Sequence, residues 1–193
     1  MNRVRPVRIA LAGVMLAWAF GGLAQPISLA SLERLLQEAP NRERRFRETR
    51  ESPWLAAPIE SSGSMRSSAT MLEKTVEQPR RETWRILPDR LQLIAPGASA
   101  PKELFFSDVP AIAALANVLR QVMAGELQAL DKDFQVVMGG DQRLWTLQMT
   151  PRRQEIARFL KQIELQGAGA QVQVIVIMES QGERTTTRLT SDP

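Results

Sequence analysis

Apolar positions recur along this chain at two spacings, which divide it into a few helices and many short strands. The longest stretch at helical spacing is residues 108–125, DVPAIAALANVLRQVMAG, where Ile112, Leu115, Ala116, Leu119 and Met123 form one stripe. Arg120 and Gln121 lie away from that stripe. Asp108 can cap the amino end, Pro110 suits the first turn and Gly125 suits the carboxyl end. A shorter helix is expected over residues 28–38, with Leu29, Leu32, Leu35 and Leu36 on one face. Ser28 or Ser31 serves as its cap, and Pro40 ends it.

The remainder alternates with a period of two, punctuated by Pro, Gly and Asp. Residues 42–52, RERRFRETRES, read as a polar, edge-like strand with Phe46, Glu48 and Arg50 on one side and Arg45, Arg47 and Thr49 on the other. SSGSMRSS, MLEKTVEQ, ETWRILP, DRLQLIAP and KELFFSD then lead into the long helix. After it come a short helical turn, ELQALDKD, and the strand FQVVM. A hairpin turn is expected at Gly139-Gly140-Asp141, with RLWTLQMTP as the return strand. Residues 153–160 form a short helix with Ile156, Phe159 and Leu160 on one face. KQIELQG, AQVQVIVIMES and ERTTTRL close the chain.

Eleven candidate strands and two main helices make an α+β fold, a single large antiparallel sheet. Twist accumulates across so many strands, so the sheet curls and offers a concave apolar face that helices or a ligand must cover. In AQVQVIVIMES, Val172, Val174, Val176 and Met178 form one row. The other row, Gln171, Gln173, Ile175 and Ile177, changes from polar to apolar partway, as in a strand passing from solvent to a covered stretch. The expected cavity comprises Leu72, Trp84, Ile86, Leu91, Leu93, Trp145, Leu147, Val174 and Val176 on the sheet. The lid side comprises Leu32, Leu36, Ile112, Leu115, Leu119 and Met123. An ordinary sheet–helix core satisfies the same pattern.

Residues 1–24 have a basic start, an apolar run from about Ile9, and small residues at Gly22 and Ala24. This is the layout of a secretory signal peptide cleaved after Ala24, leaving residues 25–193 as one domain in the periplasm. The formal charge is +4, and Arg3, Arg5 and Arg8 carry three of those charges, which leaves +1 for the exported part. That balance removes any global argument for binding to nucleic acid or to an anionic membrane. The 193 residues include no cysteine, histidine or tyrosine. Disulfides, thiolate chemistry, sulfur metal sites and the commonest general base are thereby excluded, and no metal or cofactor is expected.

The order of these pieces resembles the periplasmic outer-membrane lipoprotein carrier family, the LolA-type proteins, across the whole exported chain. FRETRESPWLAAPIESSGSMRSSATMLEKTVEQP is similar to that family's first hairpins, with Phe46 opening the first strand, Gly63 beginning the second, and Met71-Leu72 to Gln78-Pro79 as the third. ESQGERTTTRL resembles the closing hairpin. The Pro-Ile, Ser-Ser-Gly segment, AGELQALDKDF, and a Trp-Thr-Leu strand ending in Thr-Pro resemble a divergent branch. The resemblance implies an incomplete barrel of eleven strands whose lid helices cover a hydrophobic cavity. It implies a monomeric, non-enzymatic carrier or chaperone that takes acyl chains of a lipoprotein or other lipidated cargo from an inner-membrane exporter to an outer-membrane acceptor. The family's arginine before the third strand, which latches the lid, is replaced here at Ser68, and Arg66 is expected to point outward.

Two further functions are open from the residues. Glu48 with Glu73, or Ser68 with Lys74, could be combined into a catalytic pair, although neither sits in a nucleophile or acid–base motif. A periplasmic lipid-sensing domain, or an accessory of outer-membrane glycolipid or polyene-lipid assembly, uses the same half-barrel by resemblance. Met65, Met71, Met123, Met138, Met149 and Met178 supply adaptable side chains for an irregular lipid, or simply fill a core. A palmitoyl-sized chain gains up to about 12 kcal/mol on burial at about 0.8 per methylene, so a carrier must forgo part of that gain to release its cargo.

Overall fold

A computed structural model of the chain describes residues 26–38, 43–68 and 70–191. The expected signal peptide, residues 1–24, lies outside the described residues, as does the Pro40 stop. The eleven strands are β1 (Arg44–Glu51), β2 (Ile59–Ser67), β3 (Leu72–Gln78), β4 (Glu82–Ile86), β5 (Arg90–Ile94), β6 (Lys102–Phe105), β7 (Phe134–Gly140), β8 (Trp145–Pro151), β9 (Leu160–Ala168), β10 (Gln171–Glu179) and β11 (Arg184–Ser191). They form one antiparallel sheet in the order β6-β5-β4-β3-β2-β1-β11-β10-β9-β8-β7, open between β6 and β7. The fold expected from the sequence is therefore present.

Strand β1 sits at the centre of this sheet, bonded to β2 on one side and β11 on the other, and is not an edge. Its charges fit there because cross-strand partners answer them. Arg45 pairs with Glu77 at 2.7 Å, Arg50 with Glu183 at 3.1 Å, and Lys74 with Glu48 at 2.7 Å. The alternation of Phe46, Glu48 and Arg50 against Arg45, Arg47 and Thr49 holds.

Residues paired directly across strands share a face, so the register defines the concave side. One row runs Phe46, Gly63, Val76 and another Ser67, Leu72, Ile86, Leu91, Leu104. Across the other half, Met138, Leu147, Leu165 and Ile175 are aligned, as are Val136, Met149, Ile163 and Ile177. The register of β10 on β9 shifts between Val172 and Val174, a bulge that turns the following residues over. Ile175 and Ile177 consequently join the core, while Val174 and Val176 lie opposite Arg188 and Thr186 on the outer face. The change of row from polar to apolar thus records a change of face.

Helix α1 (Leu29–Gln37) is capped by Ser28, whose hydroxyl accepts from the Ser31 amide at 3.2 Å. It buries Leu32 and Leu36. Helix α2 (Pro110–Ala124) starts with Pro110 and ends at Gly125 in the left-handed conformation, φ 72°. Its N-cap is Val109, with no side-chain cap, whereas Asp108 accepts a hydrogen bond from the Ser107 hydroxyl. The helix lies over β2, β3 and β4 and touches α1, a 3-10 turn (Gln128–Lys132) and helix α3 (Gln154–Ala157). Being packed from several sides, it buries Ala116, Val118 and Val122 most deeply; Leu115, Leu119 and Met123 are half-buried. The expected stripe covers only part of this contact, because Val118 and Val122 widen the apolar face beyond it, opposite Asn117, Arg120 and Gln121.

Helix α3 is a single turn that ends before Phe159, and Phe159 is exposed while Ile156 and Leu160 are buried. Gly139 and Gly140 belong to β7, and residues 141–144 make the turn. There the Asp141 carboxylate accepts from the Arg143 and Leu144 amides at 2.7 and 3.0 Å.

Candidate functional site

The apolar groove of this fold lies where the first half of α2 meets the ends of β9 and β10. Its walls are Val109, Pro110, Ile112 and Leu115 from the helix side and Phe159 and Leu160 from the strand side, with Asp108 and Glu179 as polar lining. It encloses about 460 Å³ and is open to solvent. Ile112 is 43% exposed and Phe159 59%, an unusual cost for two large apolar side chains facing each other across a cleft. Leu160 reaches this position through a second register shift, between Met178 and Glu179, which aligns it opposite Glu179 on the concave side. Burial pushes the Glu179 carboxyl above the usual carboxylate range, reinforced by the hydrogen bond and charge of Glu183. The hydrogen bond from Glu179 lowers Glu183, with help from Arg50.

The residues expected to bind cargo occupy four environments. Leu32, Leu36, Leu72, Ile86, Trp145 and Leu147 are buried in the core beneath the helices. Trp84, Leu91, Leu119 and Met123 are half-buried against that core, and Leu93 is half-buried beside Trp84 on the same face. Ile112 and Leu115 line the groove. Val174 and Val176 are on the outer face, turned there by the β10 bulge. The groove residues that the sequence reading did not assign to the cavity or lid are Asp108, Val109, Pro110, Phe159, Leu160 and Glu179. Phe159-Leu160 could have been found as an apolar pair placed where a one-turn helix gives way to a strand.

A polar island interrupts the concave face. The Lys74 ammonium donates to both oxygens of Glu48 at 2.7 Å and sits 4.8 Å from the centre of the Phe46 ring. The Thr187 hydroxyl donates to Glu48 Oε2 at 2.6 Å. Glu73 points to the opposite face and binds Arg85 at 2.7 Å, so it is not paired with Glu48. Ser68 is engaged with its own hairpin: its hydroxyl accepts from the Met71 amide at 3.2 Å and donates to the Met71 carbonyl at 3.3 Å. Neither catalytic pair considered from the sequence is assembled. Arg66 is exposed and bound to Glu43 at 2.6 Å. Among the described residues, no cluster of three or more acidic or metal-ligating side chains could hold a metal ion.

A second groove, about 470 Å³, crosses the outer face and is lined by Arg47, Arg188, Thr49, Thr186, Ser62, Glu60 and Gln78. Both volumes lie within the range of about 300–1,000 Å³ usual for ligand sites; the polar walls of this one are unsuited to an acyl chain, whereas the groove under α2 is mainly apolar.

An open antiparallel half-barrel whose concave face is filled by helices, with an apolar groove left beside one of them, defines the class of lidded half-barrel proteins. The chain belongs to the outer membrane lipoprotein carrier protein LolA-like family, whose model matches residues 26–192. No curated protein sequence matches it. Among solved structures it is similar to a LolA superfamily protein from Nitrosomonas europaea, with 11% identity, a TM-score of 0.45, and 86% of this chain and 92% of that one covered. It is also similar to an outer membrane lipoprotein-sorting protein domain from Vibrio parahaemolyticus, with 8% identity, a TM-score of 0.43 and coverage of 84% and 89%. A DUF1329 family protein from Desulfovibrio piger matches at 6% identity and a TM-score of 0.38, with coverage of 84% and 88%. None reaches a TM-score of 0.5, and the family assignment rests on the sequence model. Among the described residues, no helix is long and apolar enough to cross a membrane.

Proposed function

We propose that residues 25–193 form a periplasmic carrier, exported by the signal peptide of residues 1–24, that takes acyl chains of a lipidated cargo in the groove under α2. It acts as a monomer, without cofactor or catalysis, between an inner-membrane donor and an outer-membrane acceptor. The observation that carries this reading is the groove itself: Ile112, Leu115, Phe159 and Leu160 leave about 460 Å³ of apolar space open to solvent. The family's description as outer membrane lipoprotein carriers supports the same chemistry.

The groove is a partial shelter. A palmitoyl-sized chain fully buried would gain up to about 12 kcal/mol, at about 0.8 per methylene. An open groove withholds part of that gain, which leaves an affinity that a partner can overcome. Glu179 at the wall, biased toward its neutral form, lowers the penalty of placing a hydrocarbon beside a carboxyl.

A neighbouring reading is an accessory carrier for an outer-membrane glycolipid or polyene lipid. It is favoured by Ser68, whose hydroxyl closes the β2–β3 turn and leaves no clasp on α2 at that position. Lipid extraction and mass spectrometry of the protein purified from its own periplasm separates the two by the molecules recovered. A protein that arrives free of lipid, and that fails to bind a fluorescent fatty-acid probe, would overturn both.

A further inference from the structure

The strand directions place five hairpin connections at one end of the sheet: residues 52–58, 79–81, 95–101, 152–159 and 180–183. Residues 52–58 read SPWLAAP, and all from Pro53 to Pro58 are exposed, with Trp54 at 74% and Leu55 also open. Ile59, which follows, is exposed as well. Six successive uncharged, mostly apolar residues at a hairpin tip are costly in water and need a function. The tip is held in place: the Leu55 amide donates to the Ser52 carbonyl at 3.1 Å, and Pro53 lies against Gly182 of the β10–β11 turn.

The charge at this end is asymmetric. Its five connections contain Arg80, Arg81, Arg152, Arg153 and Arg158 against Glu155 and Glu183. The hairpin connections at the opposite end contain Asp89 and Asp141 against Arg143 among the described residues. Arg80, Arg81 and Arg158 are exposed and form no salt bridge among the described residues, whereas Arg153 is answered by Asp133 and Glu155. Glu51, Glu60 and Glu82 on the adjoining strand ends and Asp133 before β7 also lie at this end, so its positive charge is local to the exposed Arg80, Arg81 and Arg158. The strand-side wall of the groove, Phe159, Leu160 and Glu179, lies at this same end.

We propose that this end docks on an anionic lipid bilayer. Trp54 and Leu55 enter the headgroup boundary, where tryptophan is favoured because one end of the ring is apolar and the other can hydrogen-bond. Arg80, Arg81 and Arg158 meet the anionic headgroups, whose attraction decays within a Debye length. Docking this way brings the strand-side wall of the groove to the membrane. The proposal goes beyond carriage: it concerns the empty protein and a surface, and needs no cargo.

Flotation with vesicles of phosphatidylcholine containing about 30% phosphatidylglycerol tests it, using protein purified after expression of the whole chain. The parent should float with these vesicles and bind pure phosphatidylcholine roughly tenfold more weakly. Trp54→Ser/Leu55→Ser should lose at least roughly tenfold in binding to the anionic vesicles. Arg80→Gln/Arg81→Gln should bind the anionic vesicles more weakly and with a shallower dependence on salt. Because all variants share one amino terminus, any contribution from residues 1–25 cancels between them. A parent that ignores anionic vesicles, or a loop variant that binds as the parent does, overturns the proposal. Binding of the fatty-acid probe by the same variants reports separately on the groove, and the loop variant should retain it.

Discussion

The Glu48–Lys74 pair on the concave face offers a quantitative test of how the half-barrel tolerates charge inside. The two side chains are 19% and 22% exposed and 2.7 Å apart. At that separation the attraction is about 6 kcal/mol for an effective dielectric constant of about 20, before desolvation is subtracted. Breaking a fully buried pair from one side costs about 3–5 kcal/mol, and the residual exposure here reduces the expectation to about 2–3. Lys74→Met keeps the stem over Phe46 but leaves Glu48 with hydroxyl donors alone, at Thr187 and more distantly Ser61. Glu48→Gln leaves the ammonium without its counter-charge. Each single variant should therefore lower the melting temperature by roughly 5–10 °C for a domain of this size. The double variant should fall well short of the sum, because neither charge is then stranded. Urea denaturation of all four proteins at pH 7 supplies the cycle. Single variants within about 0.5 kcal/mol of the parent, with an additive double, would refute the reasoning.

Three other outcomes follow from the geometry. Leu115→Glu should weaken fatty-acid probe binding by roughly 10- to 100-fold, since a leucine wall is worth about 1.5–3 kcal/mol; Ser68→Ala, which touches only the β2–β3 turn, should leave it unchanged in a displacement titration. Gly167→Ala should destabilise by about 1–3 kcal/mol or more, because its new methyl would run into the buried Trp145 ring and the Gln171 carbonyl; thermal melts against Gly97→Ser, where space is open but φ is positive, separate overpacking from backbone strain. Glu179→Gln should flatten the pH dependence of stability above the ordinary carboxylate range. The raised Glu179 value means the folded protein holds a proton that the unfolded chain has released, so parent stability declines as pH rises through that window, and the glutamine variant lacks this slope. Glu183, whose value is lowered, contributes with the opposite sign, as stability lost when pH falls.

Much of the fold was legible because hairpins of a meandering sheet are local: alternation, prolines and glycines bound each strand within ten residues or so. What escaped depends on partners remote in sequence. The charge density of β1 looks like an edge until Glu77, Lys74 and Glu183 arrive from other strands to answer it. In β10 the extra residue at the bulge inverts the pattern, and a period-two reading carried Val174 and Val176 into the wrong row, although the switch from Gln171 and Gln173 to Ile175 and Ile177 recorded the event. In α2 periodicity had little to select, since Val118 and Val122 are as apolar as Leu119 and Met123 and the helix is packed on more than one side. The groove wall at Phe159 depends on α3 ending after one turn, and helix ends are set by contacts that a window of sequence does not contain.

The two halves of α2 are held differently, which bears on how a lid could work here. Near its carboxyl end the Gly125 carbonyl accepts from the Gln37 side chain of α1 at 2.9 Å, Arg120 reaches Glu126 at 3.5 Å, and Val118 and Val122 are buried. At its amino end there is no side-chain cap, Pro110 is exposed and Ile112 stands open beside the groove. Lifting the whole helix would return two fully buried valines to water at about 1.5–3 kcal/mol each, besides the packing of Ala116, Leu119 and Met123. Displacing only the first turn and a half gives up far less, because Ile112 is already partly hydrated. Opening is therefore cheapest at the segment that lines the groove, with Gly125 and Gln37 as the fixed end. On this geometry the amino-terminal turns are the part of α2 freest to widen the groove while the rest of the helix stays in the core, and Ser68, closed on its own β2–β3 turn, does not hold them.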